Sequence, residues 1–486
     1  MSTLAGINQQ GAQEFREHLP TADAAGRRLW VYPRKPAGRF YRARTHVSWL
    51  LLALMFAGPF ISIGGNPLLM FNVVERRFSI FGQMFWPTDT YIFAVAMIIF
   101  FVMIAVFTAA FGRVWCGWLC PQTILMEMVF RKIEYWIEGN GFEQEQLAKA
   151  PWGARKVFKR ALKAGIFFAL SFAIANWLLM YIIGFGGWYP VVFDNPFNHL
   201  GGLTAMLLFT GVFFLIFTRF REQACTFICP YGRFQSVLMD EHSLIVSYDP
   251  KRGEKRGHWA RGVTPAARGG GGGGHCIDCR MCVSVCPTGI DIRNGLQMEC
   301  VHCTACIDAC DSVMDRMALP RGLIRYASIA GIASNRAYQI TSRIRLYGGI
   351  LMLLGAILVV LLFSRADVQT TMLRTPGALY TIAAGGEVSN LYTLTIRNKT
   401  HHRLPISLRV LTPRGATAKL IGADDIGPET VMRAAAIVGV PPGALSGGTC
   451  RAVVGLYSGN KLMQKMKTGL LGPPEAYQPA DAKVSP

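Results

Sequence analysis

The stretch HCIDCRMCVSVCPTGIDIRNGLQMECVHCTACIDACD, residues 275–311, carries eight of the thirteen cysteines of the chain. Its first half has the spacing C-x2-C-x2-C-x3-C followed by a proline. Its second half repeats that spacing, with Asp311 in the place of the proline. Bacterial ferredoxins that hold two [4Fe-4S] clusters have this spacing. The stretch therefore predicts a two-cluster ferredoxin module with an α+β fold.

The spacing also predicts which cysteines bind which cluster. Three cysteines two residues apart can surround one face of a four-iron cluster, but the fourth lies too far along the chain to complete that set. In two-cluster ferredoxins the fourth cysteine binds the other cluster. We therefore expect two crossed ligand sets. The first is Cys276, Cys279, Cys282 and Cys310, and the second is Cys300, Cys303, Cys306 and Cys286.

Zinc and disulfide bonds are the alternatives for so many cysteines. Zinc sites also use C-x2-C pairs, but a tetrahedral zinc ion needs only four ligands and gives the crossed fourth cysteine no role. Disulfide bonds are rare in a reducing cytosol, where this segment is expected to lie. Iron–sulfur clusters therefore explain the pattern best.

Length and composition place the ferredoxin module inside a larger membrane protein. A chain of 486 residues is too long for one ferredoxin, so several domains are expected. Half of the residues are hydrophobic, which indicates membrane segments. The net charge of +21 could suggest nucleic-acid binding. Lys and Arg lie mainly between the apolar runs, however, as the positive-inside rule predicts. We therefore expect no nucleic-acid partner.

Five apolar stretches approach the roughly 20 residues that a helix needs to cross a bilayer. The first of them is short and contains Pro59, so it is the weakest of the five. The five predicted spans are residues 47–63, 91–111, 164–183, 200–217 and 346–363.

The basic residues predict the orientation of these spans. Residues 113–163 and 219–345 are rich in Lys and Arg, whereas residues 184–199 contain none. The positive-inside rule places the basic segments on the cytoplasmic side of the membrane, which is expected to be a bacterial inner membrane. No signal peptide pattern opens the chain, so the basic N-terminal segment is expected in the cytoplasm too. With five spans, the C-terminal domain is expected in the periplasm.

The predicted fold class is a multi-domain membrane protein with about five transmembrane α-helices. A run of six glycines at residues 269–274 is expected to be a flexible tether into the ferredoxin module. Alternating residues at 392–397 and 406–410 predict strands of a C-terminal β-sandwich. The predicted segments are a cytoplasmic tail at 1–46, a four-span region at 47–240, a ferredoxin module with linkers at 241–342, a fifth span at 343–363 and the β-sandwich at 364–486.

The four-span region contains an internal repeat. The pattern F-x4-C-x3-C-P occurs at residues 111–121 and again, 109 residues later, at 220–230. Each proline suits the first position of a helix, and residues 122–137 predict an amphipathic helix along the membrane surface. An axis along the membrane normal would bring the two motifs together at the cytoplasmic face. Their cysteines are Cys116, Cys120, Cys225 and Cys229.

These four cysteines could bind a soft metal ion. Cys120 and Cys229 directly precede predicted helix starts, where the helix dipole favours a thiolate. Soft thiolates favour Cu(I). A redox-active disulfide, the ligand set of a further cluster, and simple packing are the alternatives, although the mirrored spacing argues against packing alone. Further soft donors could be Met126, Met128 and Met239, but methionines at helical spacing more often fill a core.

The chain resembles the cytochrome c oxidase accessory proteins called CcoG, FixG or RdxA. The resemblance is carried by GRVWCGWLCPQT at residues 112–123, REQACTFICP at 221–230 and SYDPKRGE at 247–254, and it extends over nearly the whole chain. It implies five spans, an inserted ferredoxin module and a C-terminal domain that is immunoglobulin-like.

The resemblance also implies a function. Proteins of this kind are membrane-bound iron–sulfur oxidoreductases that reduce Cu(II) to Cu(I) for assembly of a cbb-type cytochrome c oxidase. The eight ferredoxin cysteines carry over as ligands of two [4Fe-4S] clusters, and copper is the implied substrate. The implied catalytic and copper-binding set is Cys116, Cys120, Cys225 and Cys229.

The implied partners are the membrane, the oxidase, its copper-delivery proteins and an unknown cytoplasmic electron donor. No nucleotide-binding fingerprint or P-loop is evident, so the donor is expected to be external. Two alternatives stay open. One is a quinol-oxidising membrane ferredoxin similar to NapH or NosR, which share the C-x3-C-P motifs. The other is a non-catalytic scaffold for oxidase assembly.

Overall fold

The computed structural model describes Thr21 and residues 27–73, 77–86, 89–257, 274–377, 379–382, 386–422, 424–445 and 447–473. These residues form two compact units. The first unit contains the ferredoxin module and most of the apolar helices. The second contains the C-terminal domain together with Ser62–Asn66 and Ser79–Trp86. Apart from Gly274, the predicted glycine tether lies outside the described residues, as does the predicted tail up to residue 26 except for Thr21.

Four helices in the described part of the chain are long and apolar enough to cross a membrane. They coincide with the second to fifth predicted spans, which are therefore helical. A helix suits such a run because it satisfies all backbone hydrogen bonds within the segment, which lipid cannot do. The long second helix bends at Gly184, where φ is 74°. The four helices are Thr90–Phe111, Ala154–Phe193, Phe197–Phe220 and Ser342–Phe363.

The first predicted span, residues 47–63, differs in the structure. The helix here is Arg39–Ala57, which begins within the basic segment and ends before the short 3-10 turn Gly58–Phe60. Pro59 has no N–H with which to continue the α-helical ladder. The apolar part of this 19-residue helix is therefore short, and the helix is not among the four candidate spans.

The turns that lead into the two C-x3-C-P motifs adopt similar backbone conformations. Gly112 and Arg221 occupy equivalent repeat positions and end their membrane helices with left-handed φ angles of 57° and 52°. A short helix follows each turn, Val114–Trp118 in the first repeat and the π-helix Ala224–Ile228 in the second. The repeat predicted from spacing is thus also a structural repeat. Single π-helical turns are frequent at functional sites.

Each motif ends at a helix start, as the prolines predicted. Pro121 begins a continuous helical segment. It consists of Pro121–Ile124, the π-helix Leu125–Phe130 and Arg131–Ile137. Pro230 begins the helix Pro230–Leu238. The other helices of the described chain are Gly141–Lys149, Pro250–Gly253, Met281–Ser284, Ala305–Arg316 and Ile329–Ser334.

The segment after Pro121 is not the simple amphipathic surface helix that was predicted. Arg131 and Glu134, expected on its polar face, are 1% and 2% exposed, whereas Trp136, expected on its apolar face, is 78% exposed. Phe130 stacks on Phe217 of the second repeat, with 4.1 Å between ring centroids. The apolar pattern could not show this because, apart from Glu127, the charged partners of Arg131 and Glu134 come from distant parts of the chain.

The ferredoxin module combines short helices with one two-stranded antiparallel sheet. Strand Ile245–Tyr248 pairs with Ile324–Ala327. Helix Met281–Ser284 follows the first group of cysteines, and helix Ala305–Arg316 carries the end of the second group. Five of the eight cysteines belong to the buried core of the module. The cysteines and the apolar residues of both halves therefore share one core.

The C-terminal domain is a β-sandwich, and its strands include both predicted ones. Inward and outward residues alternate along Val388–Asn398, as expected for a strand with one buried face. Leu394, Val438 and Leu456 are fully buried between the two sheets. One sheet contains, in order, Thr417–Ile421, Val431–Val440, Val388–Asn398 and Val368–Arg374, with Thr381–Ile382 beside it; the other contains Ser407–Thr412, Thr449–Ser458 and Lys461–Leu471.

Candidate electron-transfer site

The eight ferredoxin cysteines line two neighbouring cavities, here called the first and second cysteine cages. The first cage is bordered by Cys276, Cys279, Cys282 and Cys310. The second is bordered by Cys286, Cys300, Cys303 and Cys306, with Cys282 also at its wall. The structure therefore brings together the members of each crossed set that the spacing predicted.

Left-handed backbone turns shape both cages in the same way. The residues on either side of the middle cysteine have positive φ, namely Asp278 and Arg280 in the first half, and His302 and Thr304 in the second. Non-glycine residues rarely adopt this conformation, which costs about 1–3 kcal/mol where the surroundings impose it. The paired turns let closely spaced cysteines border one cavity.

The cages fit a four-iron cluster better than a single ion. A tetrahedral zinc site would place four ligands within about 2.3 Å of one centre. Among the residues that the structure describes, no group of three or more His, Cys, Asp or Glu could hold one metal ion in this way. Burial raises the pKa of the Cys282 thiol to about 12, so its proton must leave when metal binds.

The four cysteines of the two C-x3-C-P motifs, here called the membrane cysteines, also lie near one another. The thiol of Cys225 interacts electrostatically with those of Cys120, Cys116 and Cys229. Burial is the main cause that raises the pKa of Cys116 to about 11 and that of Cys225 to about 12. All four are free cysteines. The two motifs of the repeat therefore form one cluster of thiols that does not converge on a single ion.

A buried glutamine joins the two repeats at this cluster. The Cys116 thiol donates to Oε1 of Gln235 at 3.2 Å, and Nε of Arg113 donates to the same oxygen at 2.9 Å. Arg113 also donates to the Gly232 carbonyl at 2.7 Å. Gln235 is fully buried in the helix that follows the second motif. These bonds hold the first motif against the second.

The first motif packs directly against the second cysteine cage. A Cβ atom at Gly117 would lie 2.4 Å from the carbonyl oxygen of Val301 and 2.8 Å from that of His302. The Arg113 N–H donates to Nδ1 of His302 at 3.1 Å. Burial, assisted by the Arg113 charge, lowers the pKa of His302 to about 3, so the ring is neutral and can accept this bond. His302 is therefore an internal contact rather than a surface residue.

A further cavity, here called the junction cavity, lies between the second motif and the second cage. Cys225 and Met126 border it on the membrane side. Pro287 and Val301, which each directly follow a cysteine of the second cage, border it on the ferredoxin side. Of the three methionines considered as soft donors, Met126 is the one at this cavity. Its remaining lining is Gln122, Thr123, Glu127, Arg221, Glu222 and Thr288.

The other two methionines lie elsewhere. The hydroxyl of Thr45 donates to the sulfur of Met128 at 3.8 Å. Met239 is the residue that follows helix Pro230–Leu238. Both are consistent with the packing role that methionines at helical spacing usually have.

A buried network of charges beside the junction cavity was missed by the sequence analysis. Arg221 lies 2.7 Å from Glu134, and Arg131 lies 3.3 Å from Glu127 and 3.6 Å from Glu222. Although burial acts to raise it, the pKa of Glu134 is lowered because Arg221 and other cations face the carboxylate. The available signal was a charged helical stripe, with Glu127, Arg131 and Glu134 at spacings of four and three residues.

We expect the purified protein to hold about eight iron and eight sulfide ions if the two cages bind [4Fe-4S] clusters. Cys282→Ser should lose one cluster and weaken the other, because Cys282 lines both cages. Iron and sulfide assays with electron paramagnetic resonance of the reduced protein measure both effects. Cys450→Ser, in the C-terminal domain, is the matched control and should keep the full content. Stoichiometric zinc with little iron would contradict the assignment.

Three family models match the chain and agree with this architecture. A model described as "4Fe-4S dicluster domain" matches residues 220–329, and one described as "4Fe-4S binding domain" matches 93–140. A third, "IG-like fold at C-terminal of FixG", matches residues 358–473. They confirm the predicted ferredoxin module and the immunoglobulin-like domain. The model at 93–140 also includes Cys116 and Cys120 of the first membrane motif.

Curated relatives match along most of their length. Protein RdxA of Cereibacter sphaeroides is 34% identical over 76% of this chain and 79% of its own length. Protein RdxB of the same organism is 33% identical over 78% and 81%. Nitrogen fixation protein FixG of Rhizobium meliloti is 30% identical over 82% of both chains.

A solved structure also matches in part. The crystal structure of FixG-related protein from Vibrio parahaemolyticus covers 22% of this chain and 98% of its own, at 19% identity and a TM-score of 0.18. With so low a score, this match carries no argument about the fold.

Proposed function

Because this chain belongs to the FixG and RdxA family of iron–sulfur proteins, we propose that it passes single electrons to Cu(II). The Cu(I) formed would serve the assembly of a cbb-type cytochrome c oxidase, with the oxidase and its copper-delivery proteins as partners. The iron–sulfur redox role rests on the ferredoxin match and the curated relatives. Copper as the substrate is the proposed part.

The two cysteine cages are proposed to hold the clusters in the crossed sets described above. When bound, [4Fe-4S] clusters supply one electron at a time, which matches the one-electron change from Cu(II) to Cu(I). The remaining contribution of the chain is to bring an electron acceptor close to the second cage.

The junction cavity is the observation that carries the copper proposal. Its lining includes Cys225 and Met126, which both carry sulfur. It also includes Pro287 and Val301, which directly follow cysteines of the second cage. Sulfur ligands select Cu(I), so binding here would favour the reduced ion. Glu127 and Glu222 at the same cavity are already paired with Arg131, so the sulfur side chains account for the proposed preference for copper. Each Cu(II) would accept one electron, and a thiol that binds it would release its proton to water.

Anaerobic mixing of reduced protein with Cu(II) tests the proposal. Loss of the reduced iron–sulfur signal should coincide with formation of Cu(I), detected by a Cu(I)-specific chelator, at one electron per copper. A non-catalytic scaffold would keep its clusters reduced. Zn(II), which has no redox chemistry, is the control ion. Unchanged clusters in the presence of Cu(II) would refute the reductase.

A second candidate is that the four membrane cysteines hold a further iron–sulfur cluster. The thiols interact without converging on one ion, and the match to a "4Fe-4S binding domain" includes the first motif. The iron content distinguishes the candidates, because a third cluster would raise it to about twelve. Serine replacement of Cys116 would then lower the iron content, whereas a copper site predicts no change.

We expect Gly117→Ala to slow electron transfer to copper about tenfold to 100-fold, because small displacements of reacting groups have effects of that size. The added methyl would collide with the backbone of Val301 and His302 and push the second cage away from the motif. Stopped-flow mixing with Cu(II) measures the rate. Gly211→Ala, in a membrane helix with open space around it, is the matched control. Equal rates in the two variants would show that the packing of Gly117 against Val301 and His302 does not matter for electron transfer.

We propose that the N-terminal segment and the ferredoxin module lie in the cytoplasm and the C-terminal domain in the periplasm of a bacterial inner membrane. The distribution of basic residues supports this orientation. Reporter fusions after residues 40 and 473 are expected to label opposite sides. This result requires an odd number of crossings, so Arg39–Ala57 would add one to the four candidate spans. Both ends on one side would show that it does not cross.

A further inference from the structure

A cavity in the described part of the ferredoxin module lies outside both cysteine cages. Its volume is about 160 Å³, and most of its lining is apolar. Because a cavity of about 150 Å³ can bind benzene, this one has room for one six-membered ring. The residues that matter here are Val246, Tyr248, Lys251, Leu296, Ile329 and Ile332.

This cavity touches the walls of both cysteine cages. Val246 borders the cavity and also the second cage. Tyr248, two residues further along the same strand, borders the cavity and also the first cage. The cavity therefore shares a wall residue with each cage. A molecule bound here would lie close to the clusters that both cages would hold.

The strand that lines the cavity begins at the end of a membrane helix. The Leu244 N–H donates to the carbonyl of Ala110 at 3.0 Å, and the Ser243 hydroxyl donates to that of Ala109 at 2.8 Å. Both carbonyls belong to the last turn of Thr90–Phe111. Helix Ile329–Ser334 also lines the cavity, and in the chain it is followed closely by the candidate span Ser342–Phe363. The cavity thus lies where two membrane helices meet the ferredoxin module.

We propose that this cavity is the electron-input site and that it binds the ring of a membrane quinol. The proposal rests on the proposed function, for which it supplies the missing donor. The observations favour a quinol because the cavity is apolar, fits one ring, and lies next to membrane helix ends.

The stoichiometry of this step balances. A quinol that is oxidised to the quinone loses two electrons and two protons. The clusters that the two cages would hold could together take up the two electrons, one each, and the two hydroxyl protons would pass to cytoplasmic water. Lys251, whose ammonium donates to the Ala333 carbonyl at the cavity, is the cation beside the ring oxygens. The quinone then returns to the membrane.

Photolabelling of the full-length protein tests the site without copper. An azidoquinone should label peptides that contain residues 245–251 or 329–333, and an excess of unlabelled quinone should compete. Ile332→Trp fills the cavity and is expected to lower both labelling and quinol-driven cluster reduction at least about tenfold, a change equivalent to about 1.4 kcal/mol. Reduction by dithionite and the iron content should stay unchanged.

Ile340→Trp is the matched control, because Ile340 is exposed and does not line the cavity. Labelling confined to other peptides, or wild-type labelling and reduction in Ile332→Trp, would overturn the proposal. If the tryptophan variant does not fold, the competition experiment on the wild type decides the question by itself. Cluster reduction by quinol without Cu(I) formation would refute the copper proposal and leave this one standing.

Discussion

Cys225→Ser is expected to lower Cu(II) reduction by more than about 100-fold while leaving the iron and sulfide content unchanged. Even changes in residues that only support metal ligands cost about 10–100-fold, and Cys225 is proposed as a direct ligand. The reason for the selectivity is its position, because Cys225 borders the junction cavity but neither cysteine cage. Rapid anaerobic mixing measures the rate, and an iron assay measures the clusters.

Two matched pairs of variants sharpen this prediction. Cys450→Ser removes a thiol from the C-terminal domain and should reduce copper at the wild-type rate. Met126→Leu should weaken Cu(I) binding, whereas Met128→Leu should not, because Met126 borders the junction cavity and Met128 does not. Both methionines are buried, so a packing effect would appear in both variants.

Two results would count against the copper site at Cys225. Full activity in Cys225→Ser would remove the thiol from the mechanism, and the second cage would then have to reduce copper directly. Loss of iron in the same variant would instead assign the membrane cysteines to a further cluster. A thiol count that changes by two on reduction of metal-free protein would indicate a disulfide relay.

Glu134→Gln is expected to destabilise the membrane unit by about 3–5 kcal/mol, the usual cost of removing one partner from a buried ion pair. The carboxylate is 2% exposed and lies 2.7 Å from Arg221 and 3.6 Å from Lys163. Its loss removes one carboxylate from each of these cations and leaves Glu138 beside Lys163 and Glu222 beside Arg221. Chemical unfolding in detergent, followed by tryptophan fluorescence, measures the change.

The matched control for this variant is Glu145→Gln. Glu145 pairs with Lys149 at 2.7 Å, but both side chains are largely exposed to solvent. Water solvates exposed charges well, so the unfolding midpoint should not change. Equal unfolding midpoints for the two variants would show that burial adds nothing to the ion network.

Acidic pH should reduce the difference between the wild type and Glu134→Gln. The folded pKa of Glu134 is lowered, so its contribution is complete above the unfolded value of about 4.3 and is lost as the pH falls through the folded value. The wild type should therefore lose stability in acid more steeply than the variant. The rate of Cu(II) reduction by Glu134→Gln can also be measured, because Arg221, the partner of Glu134, precedes Cys225 by four residues in the second motif.

Short-range patterns were enough to predict much of this protein. The spacing of the ferredoxin cysteines predicted which residues would border each cage, because the turns between them are local. The prolines after Cys120 and Cys229 predicted two helix starts, since proline suits the first position of a helix. Continuous apolar runs predicted four of the five spans. The first predicted span, residues 47–63, is the exception: its helix begins in the basic segment at Arg39 and ends at Ala57, because Pro59 cannot continue the helical ladder.

The sequence by itself determined the ferredoxin module, the repeated motif and the strands of the β-sandwich, because the pattern that predicts each of them lies within a short stretch of the chain. Only the tertiary structure decided that Gly117 touches Val301, that Met126 joins Cys225 at one cavity, and that Arg131 and Glu134 are buried. The contact of Gly117, the cavity that Met126 shares with Cys225, and the pairs that Arg131 and Glu134 form with the second motif join residues separated by many tens of positions. Their formation depends on how helices pack, so the spacing of Glu127, Arg131 and Glu134 indicated a charged stripe but not its burial.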